Sequence, residues 1–138
     1  MIIERIYSIE RVLECVPFEV EIRNKHRDAS KVQKMLLFVQ SQFENPMFGF
    51  WIASEENILG YAVAMISLVP GGESLIILRL YAKIPKVRDG LIEELKQFAK
   101  QFGVKTARIT VRKNVKALTR KYKFKPVSIN MERKIWET

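Results

Sequence analysis

The sequence predicts an α+β fold of mixed α/β character. It is read as one domain over residues 1–138, with a mostly antiparallel mixed sheet of about six to seven strands and about four helices. Three observations predict it. The chain has 138 residues, the size of one ordinary domain, and 48% of them are hydrophobic, enough for a real core. Short apolar runs broken by turn residues fill the middle of the chain, as antiparallel strands do. One nearly continuous apolar run, "SLIILRLYA", is followed by an amphipathic helical pattern and an alternating segment, which is a strand–helix–strand crossover.

"IIERIY" alternates loosely and reads as a first strand. "IERVLECV" reads as a short helix ended near Pro17. Asp28 or Ser30 can cap a second helix, "SKVQKMLLFVQSQFEN", in which Val32, Met35, Leu36, Val39 and Phe43 share a face; Asn45-Pro46 stops it. In "FGFWIASEENILGYAVAMISLV" two apolar runs flank Glu55-Glu56-Asn57, a hairpin signal. Pro70-Gly71-Gly72 makes the next turn, and "SLIILRLYA" is then a strand buried on both faces. A short loop with Pro85, Arg88, Asp89 and Gly90 leads into a helix with Leu91, Ile92, Leu95, Phe98, Ala99 and Phe102 on one face and Gly103 as its C-cap. "KTARITVRK" alternates as a strand, a short helix runs from about Asn114 to Tyr122, and "PVSINMERKIWE" is a last strand.

Composition narrows the function classes. The lone cysteine, Cys15, forms no internal disulfide, suits a reducing compartment and excludes a multi-cysteine zinc cluster. It lies among Val12, Leu13 and Val16 and reads as a buried, inert thiol. His26 sits among charges with no second histidine to make a metal pair, so no metal is expected. Trp51 and Trp136 flank strands and read as packing residues. The N-terminal segment lacks an apolar signal core, and no stretch approaches the ~20 apolar residues of a membrane span; a soluble, cytoplasmic protein is expected. The net charge is +9, and no acidic residue occurs from Lys105 to Met131. Such a field attracts polyanions, whether nucleic acid, anionic lipid or a phosphorylated cofactor, or serves only as a solvated basic face.

The strand–loop–helix at "LYAKIPKVRDGLIEEL" reads as an anion site or as a plain turn; the first reading follows because amides at a helix start point at bound negative charge. With its neighbours it resembles the GNAT superfamily of acyl-CoA N-acyltransferases over nearly the whole chain. "WIASEENILGYAVAMI" is similar to that family's second and third strands, "LYAKIPKVRDGLIEELKQFAKQFG" to its fourth strand, pyrophosphate loop and third helix, and "ARITVRKNVKALTRKYKFKP" to its fifth strand and fourth helix. The resemblance implies a splayed sheet with acetyl-CoA between the fourth and fifth strands. Amides of Val87, Arg88, Asp89, Gly90 and Leu91 would hold the CoA pyrophosphate, with Arg88 as a charged donor. Backbone amides near Tyr81 and Ala82 would hold the acetyl carbonyl, and Asn114 with Ala117 keeps the family's Asn-x-x-Ala.

This chain departs from the family in two places. "RDGLI" is shorter than the family loop and has one glycine. In the ungapped register of "TRKYKFKP", Thr119 stands where the family's catalytic tyrosine does and Lys123 replaces its glycine; Tyr122 is the alternative acid. Acyl transfer to an amine needs a base, a polarised carbonyl and a protonated leaving thiolate. The candidates are Glu73 as a water-mediated base and Tyr122 or Thr119 at the acid position. The function implied is acetyl-CoA-dependent N-acetylation of an amine-bearing small molecule or protein. The alternatives are a non-catalytic module of the same fold, and a nucleic-acid binder using the basic C-terminal third, where Tyr122 and Phe124 interleave with Lys121, Lys123 and Lys125.

Overall fold

The computed structural model describes residues 1–18, 29–109 and 120–124, with side chains of the second helix from Lys34 onward. Its elements are β1 (Ile2–Arg5), α1 (Ile9–Leu13), α2 (Ala29–Gln42), β2 (Phe48–Ser54), β3 (Ile58–Ser67), β4 (Ser74–Ala82), α3 (Pro85–Gln101) and β5 (Ala107–Ile109). The predicted order is found as far as β5. His26, Asn114, Thr119, Trp136 and the last predicted strand lie outside the described residues.

The five described strands form one sheet in the order β1-β2-β3-β4-β5. The first three pairings are antiparallel and β4–β5 is parallel, so α3 is the crossover that the sequence pattern predicts. Helices cover both faces. Trp51, Ala53, Ala62, Ala64, Ile66, Leu75 and Ile77 meet Val87, Leu91, Leu95 and Phe98 of α3. On the other face Phe48, Phe50, Ile52, Tyr61 and Val63 meet Val12, Cys15, Phe18 and Val39. Strands buried on both faces lose polar alternation, which explains the unbroken apolar runs of β2 and β3.

Local chemistry sets the turns. Pro70-Gly71 occupies the centre of a type II turn, with Gly71 at φ +78° and the Gly72 N–H donating to the Val69 carbonyl at 2.8 Å. Gly103, at φ +68°, ends α3 in a Schellman motif: the Val104 N–H donates to Ala99 and the Gly103 N–H to Lys100. The short first helix stops at Leu13 rather than near Pro17, and a helical turn resumes over 15–18. Pro17 falls in that first turn, where its missing N–H is no loss. Cys15 is buried. Among the described residues no helix is long and apolar enough to cross a membrane.

Candidate functional site

The site is organised by a break in β4. Val63 pairs with Arg79 and Ala64 with Ile77, so Leu78 is an extra residue, a β-bulge. A bulge reverses which residues face which side of the sheet. Before it, Leu75 and Ile77 point to the α3 face; after it, Leu80 and Ala82 do, while Tyr81 packs on the α1–α2 face. The backbone obeys the same alternation. The Lys83 N–H donates to the Leu59 carbonyl at 2.9 Å, so Lys83, Tyr81 and Arg79 direct their backbone groups to β3. The N–H groups of Leu80 and Ala82 therefore turn to the opposite edge. The described part of β5 reaches along β4 only to Ile77. Of the two residues expected to hold an acyl carbonyl, Ala82 presents its amide to that edge, and Tyr81 presents its amide to β3.

The loop after β4 is shorter than the sequence suggests. Helix α3 begins at Pro85, with Ile84 as its N-cap, so Arg88, Asp89 and Gly90 are helical residues and not loop residues. Proline is favoured at this first helical position because its fixed φ fits and its missing N–H costs nothing there. The Val87 and Arg88 N–H groups both donate to the Ile84 carbonyl, at 3.1 and 3.3 Å. Among the described residues this leaves the Lys86 N–H as the amide of the first turn open to an anion. The side chains of Val87 and Leu91 are fully buried against the sheet. Gly90 faces β1: a Cβ there would lie 2.6 Å from Ile3 Cδ1 and 3.4 Å from Met1 Cε. The missing side chain makes room for Ile3.

Asp89 is the hub of a polar cluster. It accepts a hydrogen bond from the Tyr122 hydroxyl at 2.5 Å and pairs with Lys121 Nζ at 3.0 Å. Those donors, with the nearby charges of Lys121 and Arg88, hold the Asp89 carboxyl below its ordinary range. Tyr122 is pushed up to about 12, first by partial burial and then by its bond to Asp89. A phenol so placed is a poorer proton donor than an ordinary tyrosine. The residue after it, Lys123, has φ +59°, the left-handed conformation that glycine adopts freely, at the position where the sequence resemblance implies glycine. Phe124 packs against the α3-side core, which takes it out of the aromatic–basic alternation.

Glu73 is exposed in the turn before β4. Nine residue steps separate it from Ala82, roughly 30 Å along an extended strand. The structure therefore brings together Arg88, Asp89 and Tyr122, sets Ala82 at the strand edge nearby, and leaves Glu73 at the other end. Sequence reasoning missed the cleft on the α2 side of the bulge. It is lined by Lys34, Met35, Phe38, Val39, Val63, Leu78 and Arg79, with a volume of about 440 Å³. Arg79, a single cation inside an apolar strand, was the available signal.

Solved structures share this fold. A predicted acetyltransferase from Clostridium acetobutylicum, crystallised with acetyl-CoA, superimposes with a TM-score of 0.75 at 17% identity, over 97% of this chain and 96% of that one. A GCN5-related N-acetyltransferase from Ralstonia eutropha JMP134 gives 0.74 at 16% identity, over 97% of each chain. An aminoglycoside acetyltransferase from an uncultured soil metagenomic sample, in complex with sisomicin, gives 0.67 at 17% identity, over 99% of this chain and 95% of that one. No family model and no curated protein matches the chain. The chain has the fold of the GCN5-related N-acetyltransferases.

Proposed function

We propose that this protein is an N-acyltransferase that takes its acyl group from acetyl-CoA and transfers it to an amine. One observation carries the proposal: the bulge at Leu78 turns the Leu80 and Ala82 amides to the β4 edge beyond the end of its described pairing with β5, in a fold shared with acetyltransferases. Two fixed N–H groups at a strand edge can donate to a thioester carbonyl oxygen and stabilise the negative charge that develops on it. The amine nitrogen bonds to the acyl carbon, the carbon–sulfur bond breaks with its electron pair on sulfur, and the proton lost by the amine ends on the thiol. Holding amine and carbonyl side by side supplies much of the rate. The fit to the donor's pyrophosphate is narrower. It rests on the Lys86 amide at the start of α3, with Arg88 and Lys121 as charged donors beside it.

A non-catalytic acyl-CoA-binding module is favoured by a different observation: α3 has absorbed the loop, and Asp89 holds the Tyr122 proton. Calorimetry with acetyl-CoA, followed by mass spectrometry of a panel of amines incubated with acetyl-CoA and the protein, separates the two. Binding with acetylation of an amine is the expected result. Binding without thiol release selects the module, and no heat from acetyl-CoA removes both.

A further inference from the structure

We infer that Asp89 sets the protein's affinity for its acyl donor: it is a resident anion that occupies, among Arg88, Lys121 and Tyr122, the hydrogen-bond donors a bound diphosphate would engage. The inference rests on the acyltransferase function proposed above and adds how that site recognises its donor.

The cluster is built around one carboxylate. Asp89 is the single acidic residue of the stretch from Ile84 to Leu91, which also holds Lys86 and Arg88; segment 120–124 adds Arg120, Lys121 and Lys123 and no acid. Lys121 Nζ lies 3.0 Å from one Asp89 oxygen and 3.1 Å from the other, so it spans both. The Tyr122 hydroxyl donates to Asp89 Oδ1 at 2.5 Å, and Lys121 Nζ stands 5.7 Å from the centre of the Tyr122 ring. Arg88 is close enough to act on both Asp89 and Tyr122. An ammonium, a guanidinium and a hydroxyl therefore gather at one point, a donor set suited to phosphate oxygens. In this chain its own carboxylate fills that set.

Filling it changes the energetics of donor binding. A diphosphate brought to the start of α3 engages Lys121 only by taking it from Asp89, so one charge-assisted bond is exchanged for another and the net gain is small. The carboxylate also stays beside the incoming negative charge and opposes it. The side chains of Asp89 and Lys121 are each 47% exposed, so a ligand reaches them from solvent, and water screens the opposition to a modest factor. The donor is therefore held mainly by its acyl–pantetheine part along the β4 edge, and only weakly through its diphosphate. A neutral residue in place of Asp89 releases Lys121 and removes the opposing charge, and both effects favour the diphosphate. An aspartate that merely braced segment 120–124 would give the opposite sign, because losing the brace loosens the cations and weakens anion binding.

The test is calorimetry on the full chain with three ligands: acetyl-CoA, S-acetylpantetheine, which lacks the diphosphate, and inorganic pyrophosphate. The parent is compared with Asp89→Asn, Lys121→Gln and the double variant. Asp89→Asn is expected to tighten acetyl-CoA and pyrophosphate about fivefold each, and to raise the affinity for acetyl-CoA relative to S-acetylpantetheine by the same factor. Lys121→Gln is expected to weaken pyrophosphate less than about twofold in the parent and about fivefold in Asp89→Asn, where Lys121 is released to bind it. The parent arm stands alone should Asp89→Asn misfold: a loss of about fivefold there shows Lys121 already available to phosphate and overturns the inference. Unchanged or weaker pyrophosphate binding by Asp89→Asn overturns it too, whatever acetyl-CoA does. A pyrophosphate gain with no heat from acetyl-CoA supports the role of Asp89 and removes the acyltransferase function instead.

Discussion

Replacing Gly90 separates a phosphate-binding glycine from a packing glycine. The sequence alone predicts that Gly90→Val lowers acetyl-CoA affinity and leaves the fold intact, because a Cβ would stand where phosphate approaches. The structure points the other way, since that Cβ would stand 2.6 Å from Ile3 Cδ1. Gly90 is helical and has no positive φ, so alanine gains about 0.8–1 kcal/mol of helix propensity. The clash falls on the end of a flexible side chain, and an off-rotamer shift of Ile3 costs about 0.5–1.5 kcal/mol. Gly90→Ala is therefore expected to lie near zero. Gly90→Val adds two methyl groups against the same neighbour and gives up part of the helix gain, so a loss of about 1–3 kcal/mol is expected.

Urea denaturation of Gly90→Ala, Gly90→Val, Ile3→Ala and the double variant Gly90→Val/Ile3→Ala measures each term. The valine and the Ile3 truncation should couple: removing Ile3 δ and γ atoms recovers about 1 kcal/mol or more of the valine's cost. Strict additivity, or a Gly90→Val protein of parental stability with weakened acetyl-CoA binding, would refute the packing role and restore the phosphate one.

Three further outcomes are expected. Tyr122 is raised from 10.0 to about 12, so its contribution is whole below pH ~10 and is lost as pH rises toward 12; Asp89 is lowered from 3.8, so its contribution is present above that value and fades as pH falls through its folded range. Urea midpoints across both windows should flatten in Asp89→Asn, and an ultraviolet phenolate titration should lose its high-pH component in Tyr122→Phe. Lys123→Gly relieves a φ of +59° and should leave stability level or raise it by up to about 1 kcal/mol, read as a rise in thermal midpoint. Deleting Leu78 should preserve cooperative unfolding, followed by circular dichroism, because Ile77 and Arg79 then become consecutive opposite Ala64 and Val63 and every later side chain of β4 keeps its face.

The sequence made the crossover legible because its two periods differ: an apolar run, then a helical stripe, then alternation. Gly103 was legible as a C-cap because it follows the last apolar position of that stripe, and Pro70-Gly71 because a type II turn asks for that pair. The start of α3 was not, although Pro85 carried the signal. Proline reads equally as a loop residue or as the first residue of a helix, and the polar run after it gave no periodicity to choose. The role of Gly90 had no local signal at all, since the side chain that fills its space comes from β1. Glu73 and Ala82 stand at opposite ends of β4, because a strand separates residues in space about as far as a chain can.

The bulge was hidden by the apolar composition of β4, whose residues from Leu78 onward are exposed or only partly buried. In "SLIILRLYA" apolar residues stand at both parities, so an inserted residue leaves no break in the pattern. Its effects nonetheless reach the residues from which the proposed function is argued. One extra residue shifts the parity of β4, and three things follow together. Arg79 leaves the α3 face for the α2 side, Tyr81 packs its ring at a tilt against Tyr61 with centroids 5.4 Å apart, and the Leu80 and Ala82 amides turn to the edge. A strand without the bulge could supply an apolar core, but it would direct those amides into β3 and bury a guanidinium in that core. The edge-facing amides of Leu80 and Ala82 and the side of the sheet on which Arg79 lies therefore depend on one backbone irregularity, and the charge at Arg79 is the sequence's only mark of it.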